Sequence, residues 1–392
     1  MDKALEQELH DLEGQHLRRH LQVVEEMLPG GKVKVNGQVF LNLSSNDYLG
    51  LAGDPRLIAA AQEAAARWGV GSTASRLIVG TLALHQQVEE AVAAFKGRPR
   101  AALFNTGYMA NVGVIAALMG KGDVILSDKL NHASIIDGLR LAEASFYRYP
   151  HGDLERLEAL LQKYQNARRV LIVTDSVFSV DGDLAPLREL VSLKERYGAW
   201  LMIDEAHATG VLGAKGAGLA EALGLTEAVD IHMGTFSKAL GSFGAFVAGS
   251  AALIEVLHNR ARSFIYSTAL PPPVLGAMAA ALEIVSQEPA NRAYLLEQAA
   301  IFRQRLQAGG LNTMASATQI IPVQVGDNAL ALHYAALLRQ QGLMVVAIRP
   351  PTVPSGSARL RLSLSAAHQA AELAHAAATV VHVGRELGTA LH

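Results

Sequence analysis

Residues 169–206 read RVLIVTDSVFSVDGDLAPLRELVSLKERYGAWLMIDEA. The runs RVLIVTD (169–175) and WLMIDEA (200–206) are continuously apolar rather than alternating. Such runs mark strands covered on both faces, as in a parallel sheet lying between helices. Between them Leu187, Leu190 and Val191 recur at helical spacing, in a segment that starts with Pro186 and stops at Gly198. Proline inside a helix start and glycine past its end are the residue types those positions favour. Strand, helix, strand in this order predicts an α/β fold with right-handed crossovers.

The pattern extends outward. AALF (101–104), DVILSD (123–128), DIHMGTF (230–236) and AFVAGS (245–250) read as further buried strands, and Leu154, Leu157, Leu160, Leu161 and Tyr164 as a helix face. Beyond the apolar, helix-like stretch 273–285, strands are expected near 319–325, 343–348 and 358–364, with helices near 328–340 and 367–388. That is a second, smaller α/β domain. Residues before about 40 form an arm with a helix and a hairpin around VKVNGQVF (33–40). The expected division is an arm at 1–45, a large domain at 46–285 and a small C-terminal domain at 286–392.

Composition agrees. A chain of 392 residues exceeds what one core serves, so two domains are expected. The 34 basic and 36 acidic residues leave a net charge of -2, which argues against nucleic-acid or membrane-surface partners. The chain has no cysteine, so disulfides, thiolate metal sites and a cysteine nucleophile are excluded. No metal site is expected. The N-terminus MDKALEQELHDLEGQHLRRH lacks the apolar core of a signal peptide, and no apolar run reaches the roughly 18 residues of a membrane span. A cytoplasmic protein is expected.

Open α/β sheets bind ligands outside the carboxyl ends of their strands. There the sequence places Gly107 in NTGYMAN, His132 in SDKLNHAS, Ser179 in SVFSVDGD, Asp204 and His207 in IDEAHATG, and Thr235 and Lys238 in GTFSKALG. Singly, each has an ordinary structural reading. Jointly they match one cofactor, pyridoxal phosphate, which needs a lysine for its Schiff base and a carboxylate for its ring nitrogen. A glycine-opened helix start suits its phosphate. Lys238 lies among small and apolar residues, where desolvation favours the neutral, nucleophilic amine. A nicotinamide enzyme would instead need G-x-G-x-x-G after a strand, which GVGSTAS (69–75) does not supply.

The ordered blocks SSNDYLGL, FNTGYMAN, NHAS, DSVFSVDGD, IDEAHATGVLG, TFSKALG, IYSTALPPP and RPPTVPSGSARLRLSLSAAH resemble the α-oxoamine synthases over residues 17 to 368. These are fold-type I pyridoxal-phosphate enzymes that condense an amino acid with an acyl-CoA and release carbon dioxide. The resemblance implies a large domain with a mainly parallel sheet, a smaller C-terminal α/β domain, and a homodimer with shared active sites. It is strongest toward members using L-alanine and pimeloyl-CoA, and NHASIIDGLRLAEASFYRY also resembles the glycine and acetyl-CoA member.

Residue by residue, the resemblance makes Lys238 the Schiff-base lysine and the Cα base, and pairs Asp204 with the ring nitrogen. His207 and Ser179 bond around the ring hydroxyl, and His132 stacks on the ring and meets substrate. Gly107, Tyr108 and Thr235 hold the phosphate, joined by Thr268 from the partner subunit. Asn46 and Arg361 take the substrate carboxylate. Thr352 and either Arg18 or Arg19, with Arg19 favoured, contact the acyl-CoA. Ser72, Thr73, Ser75 and Arg76 either line the acyl pocket or build a glycine-rich loop.

Overall fold

The computed structural model describes residues 1–389, which divide into two compact units. The larger comprises Leu49–Ser179 and Leu184–Ala293. Its sheet has seven strands in the order Arg100–Phe104, Ala245–Gly249, Ile231–Thr235, Trp200–Asp204, Val170–Asp175, Val124–Asp128, Ser145–Tyr149. The strands expected from apolar runs all form, and the central ones are buried along their whole length. Helices Gly107–Leu118 and Ala133–Leu141 contribute Val114, Ile115, Ile135 and Leu139 to one core with Leu171, Val173 and Met202 of the sheet. Full burial of each such aliphatic side chain contributes about 1.5–3 kcal/mol, before conformational entropy is set against it.

Two features correct the sequence reading. Ala245–Gly249 runs antiparallel to both neighbours, whereas the other pairings are parallel. The reason is the connection: residues 236–244 are fewer than the dozen or so a parallel crossover requires. Ser145–Tyr149 was not expected as a strand, because SFYRY is mostly exposed at the sheet edge and carries no apolar run.

The smaller unit comprises Met1–Tyr48, Val180–Asp183 and Tyr294–His392, of which 390–392 lie outside the described residues. It groups the N-terminal arm with the C-terminal residues, unlike the linear division at 45 and 285. Strands Lys32–Val35 and Gln38–Asn42 form the hairpin, with Asn36 (φ 50°) and Gly37 (φ 74°) both left-handed as a two-residue turn demands. Leu343–Met344 then adds in parallel to Leu41 and Asn42, and this pairing ties the arm to the C-terminal part. Ile320–Gly326, Ala358–Ser363 and Val346–Ile348 make an antiparallel sheet with helices Asn328–Gln340 and Ala370–Glu386. Val180–Asp183 belongs here because Asp181 pairs with Arg359, and Gly182 (φ +69°) lies where a Cβ would come within 2.0 Å of the Ile320 carbonyl oxygen. No helix among the described residues is long and apolar enough to cross a membrane.

Inside the larger unit Lys96 and Glu205, 3% and 0% exposed, form a buried ion pair. The Lys96 ammonium also donates to the Ala217 carbonyl. Glu205 Oε1 accepts from the Ala220 N–H at 3.1 Å. Burial alone would raise the Glu205 pKa, but Lys96 and then His232 hold it down to about 2. A depressed carboxylate contributes stability above its unfolded value, about 4.3. That contribution is lost as pH falls through about 2. Glu205→Ala leaves a buried ammonium without its partner and is expected to cost about 3–5 kcal/mol. Urea unfolding of both proteins at neutral pH measures this directly.

Candidate active site

Lys238, Asp204, His132, His207, Ser179, Thr235, Gly107 and Tyr108 line one cavity of about 180 Å³ in the larger unit. They arrive there because each lies at or beyond the carboxyl end of a strand of the sheet. Trp200–Asp204 ends on Asp204, Ile231–Thr235 ends on Thr235 three residues before Lys238, and Arg100–Phe104 leads into the helix at Gly107. The turn bearing Lys238 is fixed by its backbone, with Gly241 N–H on the Lys238 carbonyl and Ser242 N–H on that of Phe236, both at 2.9 Å.

At the helix start the Thr106 hydroxyl caps the Met109 N–H at 3.1 Å. The N–H groups of Gly107 and Tyr108 precede the first intrahelical bond and stand at the cavity. A Cβ on Gly107 would come within 3.1 Å of the Met233 methyl, so glycine keeps this end open. The Tyr108 hydroxyl is bonded to Asp137, so that hydroxyl is already engaged. The Thr235 hydroxyl donates to the Gly244 carbonyl and pairs with Ser237, each at 2.7 Å.

Asp204 is oriented by two donors: Ala206 N–H reaches Oδ1 at 2.9 Å and Asn111 Nδ2 reaches Oδ2 at 2.7 Å. Asp175 accepts the His132 N–H at 2.9 Å, and burial followed by the charge of Asp204 pushes its carboxyl well above the usual carboxylate range. Burial lowers the pKa of His132, with Asp204 opposing and Lys238 reinforcing the shift. Asn111, Ser134, Asp175 and Ser237 also line the cavity. Of these, sequence reasoning placed Ser237 at the rim beside Lys238 but did not single out Asn111, Ser134 or Asp175, although all three lie within its motifs.

Thr268 does not line this cavity. It bridges Ser75, and its carbonyl accepts from Asn105 Nδ2 at 2.8 Å. Ser72, Thr73, Ser75 and Arg76 belong to the larger unit and do not line this cavity, whereas Asn46, Arg361, Thr352, Arg18 and Arg19 lie in the smaller unit. Arg361 donates to Asn46 Oδ1 at 3.0 Å, to the Tyr48 hydroxyl at 3.3 Å and to Ser363 at 2.8 Å. Arg18 pairs with Glu13 at 3.5 Å. Burial and then the charge of Arg19 lower the pKa of Arg349, whose guanidinium donates to the His16 carbonyl. The Arg349 carbonyl accepts the Thr352 N–H at 3.2 Å.

The donor set fits pyridoxal phosphate: an amine for its aldehyde, a carboxylate for its ring nitrogen, and helix-start N–H groups for its phosphate. Residues 38–380 match the aminotransferase class I and II family, and the chain belongs to that family. Within it the relatives are specific. An 8-amino-7-oxononanoate synthase of Geobacter sulfurreducens is 51% identical over 99% of this chain and 100% of its own. The 8-amino-7-oxononanoate synthase of Francisella tularensis superposes with a TM-score of 0.78 at 30% identity, over 88% of this chain and 98% of that one. A serine palmitoyltransferase from S. paucimobilis, bound to a PLP–myriocin aldimine, gives a TM-score of 0.93 at 32% identity over 98% of each chain.

Proposed function

We propose that the chain is a pyridoxal-phosphate-dependent 8-amino-7-oxononanoate synthase. It joins L-alanine to a pimeloyl thioester and releases carbon dioxide and the thiol, which is CoA when the donor is pimeloyl-CoA. The observation that carries this reading is the cavity in which Lys238, Asp204 and His132 meet at a helix start. The similarity to 8-amino-7-oxononanoate synthases supports the choice of substrates.

When bound, the cofactor supplies an aldehyde that links to amines and a ring that takes up the electron pair released at Cα. Lys238 would provide the amine for covalent attachment, and its free amine would be the base for the Cα proton. Asp204, held by two N–H donors, would serve the ring nitrogen and keep its proton in place. Gly107 and Tyr108 would offer N–H groups to the phosphate, and Ser179 and His207 would bond the ring hydroxyl. His132 would lie against the ring and donate a hydrogen bond where negative charge develops on the acyl oxygen. Arg361 is a planar donor oriented by three partners, suited to the alanine carboxylate, with Asn46 beside it. Arg19 and Thr352 take the acyl donor.

Incubation with alanine or glycine against pimeloyl-CoA or acetyl-CoA, read by mass spectrometry, tests the assignment. Alanine with pimeloyl-CoA is expected to give 8-amino-7-oxononanoate as the dominant product. Turnover confined to glycine and acetyl-CoA would replace the reading with the sibling activity.

The reading includes a homodimer. Val70, Leu77, Ile78, Val79 and Tyr266 are exposed, an unusual set of large apolar residues for open surface. Their segments are joined by the Ser75–Thr268 bridge and by Ala269 N–H on the Ala74 carbonyl at 3.0 Å. A second copy covering this face would carry Thr268 toward its partner's phosphate site. Thr268→Val is then expected to raise the cofactor dissociation constant about tenfold, the effect of one lost hydrogen bond to a charged group. Equilibrium dialysis measures that change, and an unchanged constant removes Thr268 from the site.

A further inference from the structure

Four side chains of the larger unit form an unbroken hydrogen-bond chain whose direction is fixed by chemistry. Asp204 Oδ2 lies 2.7 Å from the Asn111 amide. A carboxylate oxygen facing that amide requires its nitrogen rather than its oxygen there. The same nitrogen donates to Ser134 Oγ at 2.9 Å. Both amide hydrogens are then committed, and Ser134 accepts on that side. Its own O–H is left for His132 Nδ1, 2.7 Å away. The Ser134 backbone N–H points at the same ring nitrogen at 3.2 Å. His132 Nδ1 therefore receives two donors and carries no proton. The ring proton sits on Nε2, the edge away from Ser134, on a residue that lines the cavity. Asn111 and Ser134 are both 0% exposed, so bulk water does not compete for these bonds.

We propose that Asn111 and Ser134 are positioning residues that hold His132 in its neutral Nε2–H tautomer, so that it always offers a donor to the cavity. A donor there stabilises an acyl oxygen gaining negative charge, whereas the other tautomer would present a lone pair and repel it. One amide thus fixes two functional groups, the carboxylate of Asp204 and, through Ser134, the ring of His132. What His132 acts on rests on the functional reading above; its tautomer does not. The charged or titratable groups facing it are Asp175, which accepts its backbone N–H, together with Asp204 and Lys238. The Asp204 charge favours an imidazolium, while Lys238 and the two donors on Nδ1 oppose it.

The test uses holoenzyme labelled with ¹⁵N-histidine, the His132 signals being those lost in His132→Gln. Between about pH 6 and 8 the wild-type ring is expected to show a protonated Nε2 and a bare Nδ1. Ser134→Ala removes the O–H donor, so the midpoint of His132 protonation should rise. In that variant kcat should fall about tenfold while the KM for alanine changes less than about twofold. Asn111→Ala does not touch the ring, yet it frees the Ser134 hydroxyl to turn and accept from Nδ1–H, so the midpoint should move the same way. If Asn111→Ala does not fold, Ser134→Ala alone decides. A wild-type proton on Nδ1, or an unchanged midpoint in Ser134→Ala, overturns the proposal. The expected tautomer in an enzyme that makes no amino ketone would overturn the role in condensation together with the functional reading, and leave only the tautomer assignment standing.

Discussion

Lys238→Ala is expected to give a folded chain whose turnover falls at least about 10⁴-fold, the scale of losing a covalent nucleophile that also serves as base. The fold should survive because Lys238 contributes no core packing. Its turn is held by backbone bonds from Gly241 and Ser242 and by Phe236, Ala239 and Leu240, all 0% exposed. The lysine itself is half-buried at the cavity, and under the proposed function this one side chain would supply both the attachment point and the proton acceptor. Borohydride reduction of the wild type followed by peptide mass spectrometry should place the pyridoxyl group on Lys238. The variant should bind cofactor without that covalent link. Modification of a different lysine would remove Lys238 from its assigned role.

Asp204→Asn should retain part of the cofactor and lose roughly 10²–10³-fold in kcat, the usual effect of removing one preorganised electrostatic group. Two causes act together. The neutral amide no longer holds a proton on the ring nitrogen, and the geometry around it has no place for an amide. Asp204 accepts from Ala206 N–H and from Asn111 Nδ2 on its two oxygens. An asparagine has one oxygen, so its NH₂ must face one of these donors. A buried donor pair of this kind costs about 1–3 kcal/mol. Single-turnover kinetics with alanine separates a slowed proton transfer from simple cofactor loss. Near-normal turnover in a fully loaded variant would contradict the role given to Asp204.

Six of the seven strands were legible because they are buried on both faces and so read as continuous apolar runs, whereas the mostly exposed Ser145–Tyr149 was not. The cavity lining was legible from these strands in part, because the cavity residues named from sequence sit at or just past a strand end or at the start of the helix that follows one. What stayed hidden lacks a local signal. Ala245–Gly249 is as apolar as its parallel neighbours, and only the short connection before it reveals its direction. Lys96 and Glu205 lie 109 residues apart, and neither carries a pattern pointing to the other. Asn111 and Ser134 stand inside motifs already explained by the helix start and by His132, so their link to Asp204 needs side-chain geometry. The arm's association with the C-terminal residues rests on long-range contacts, the pairing of Leu41 with Leu343 and Asn42 with Met344, the Lys32–Glu372 ion pair and the Arg361–Asn46 bond, none of which has a local pattern.

The central claim is that alanine and an acyl thioester join with loss of the alanine carboxylate. Alanine labelled with ¹³C at the carboxyl carbon tests it most directly, with labelled carbon dioxide and free thiol measured together. One labelled carbon dioxide should appear for each thiol released, with none in the absence of thioester and no label in the amino ketone. Label retained in a product acid, or carbon dioxide released without thioester, would contradict it.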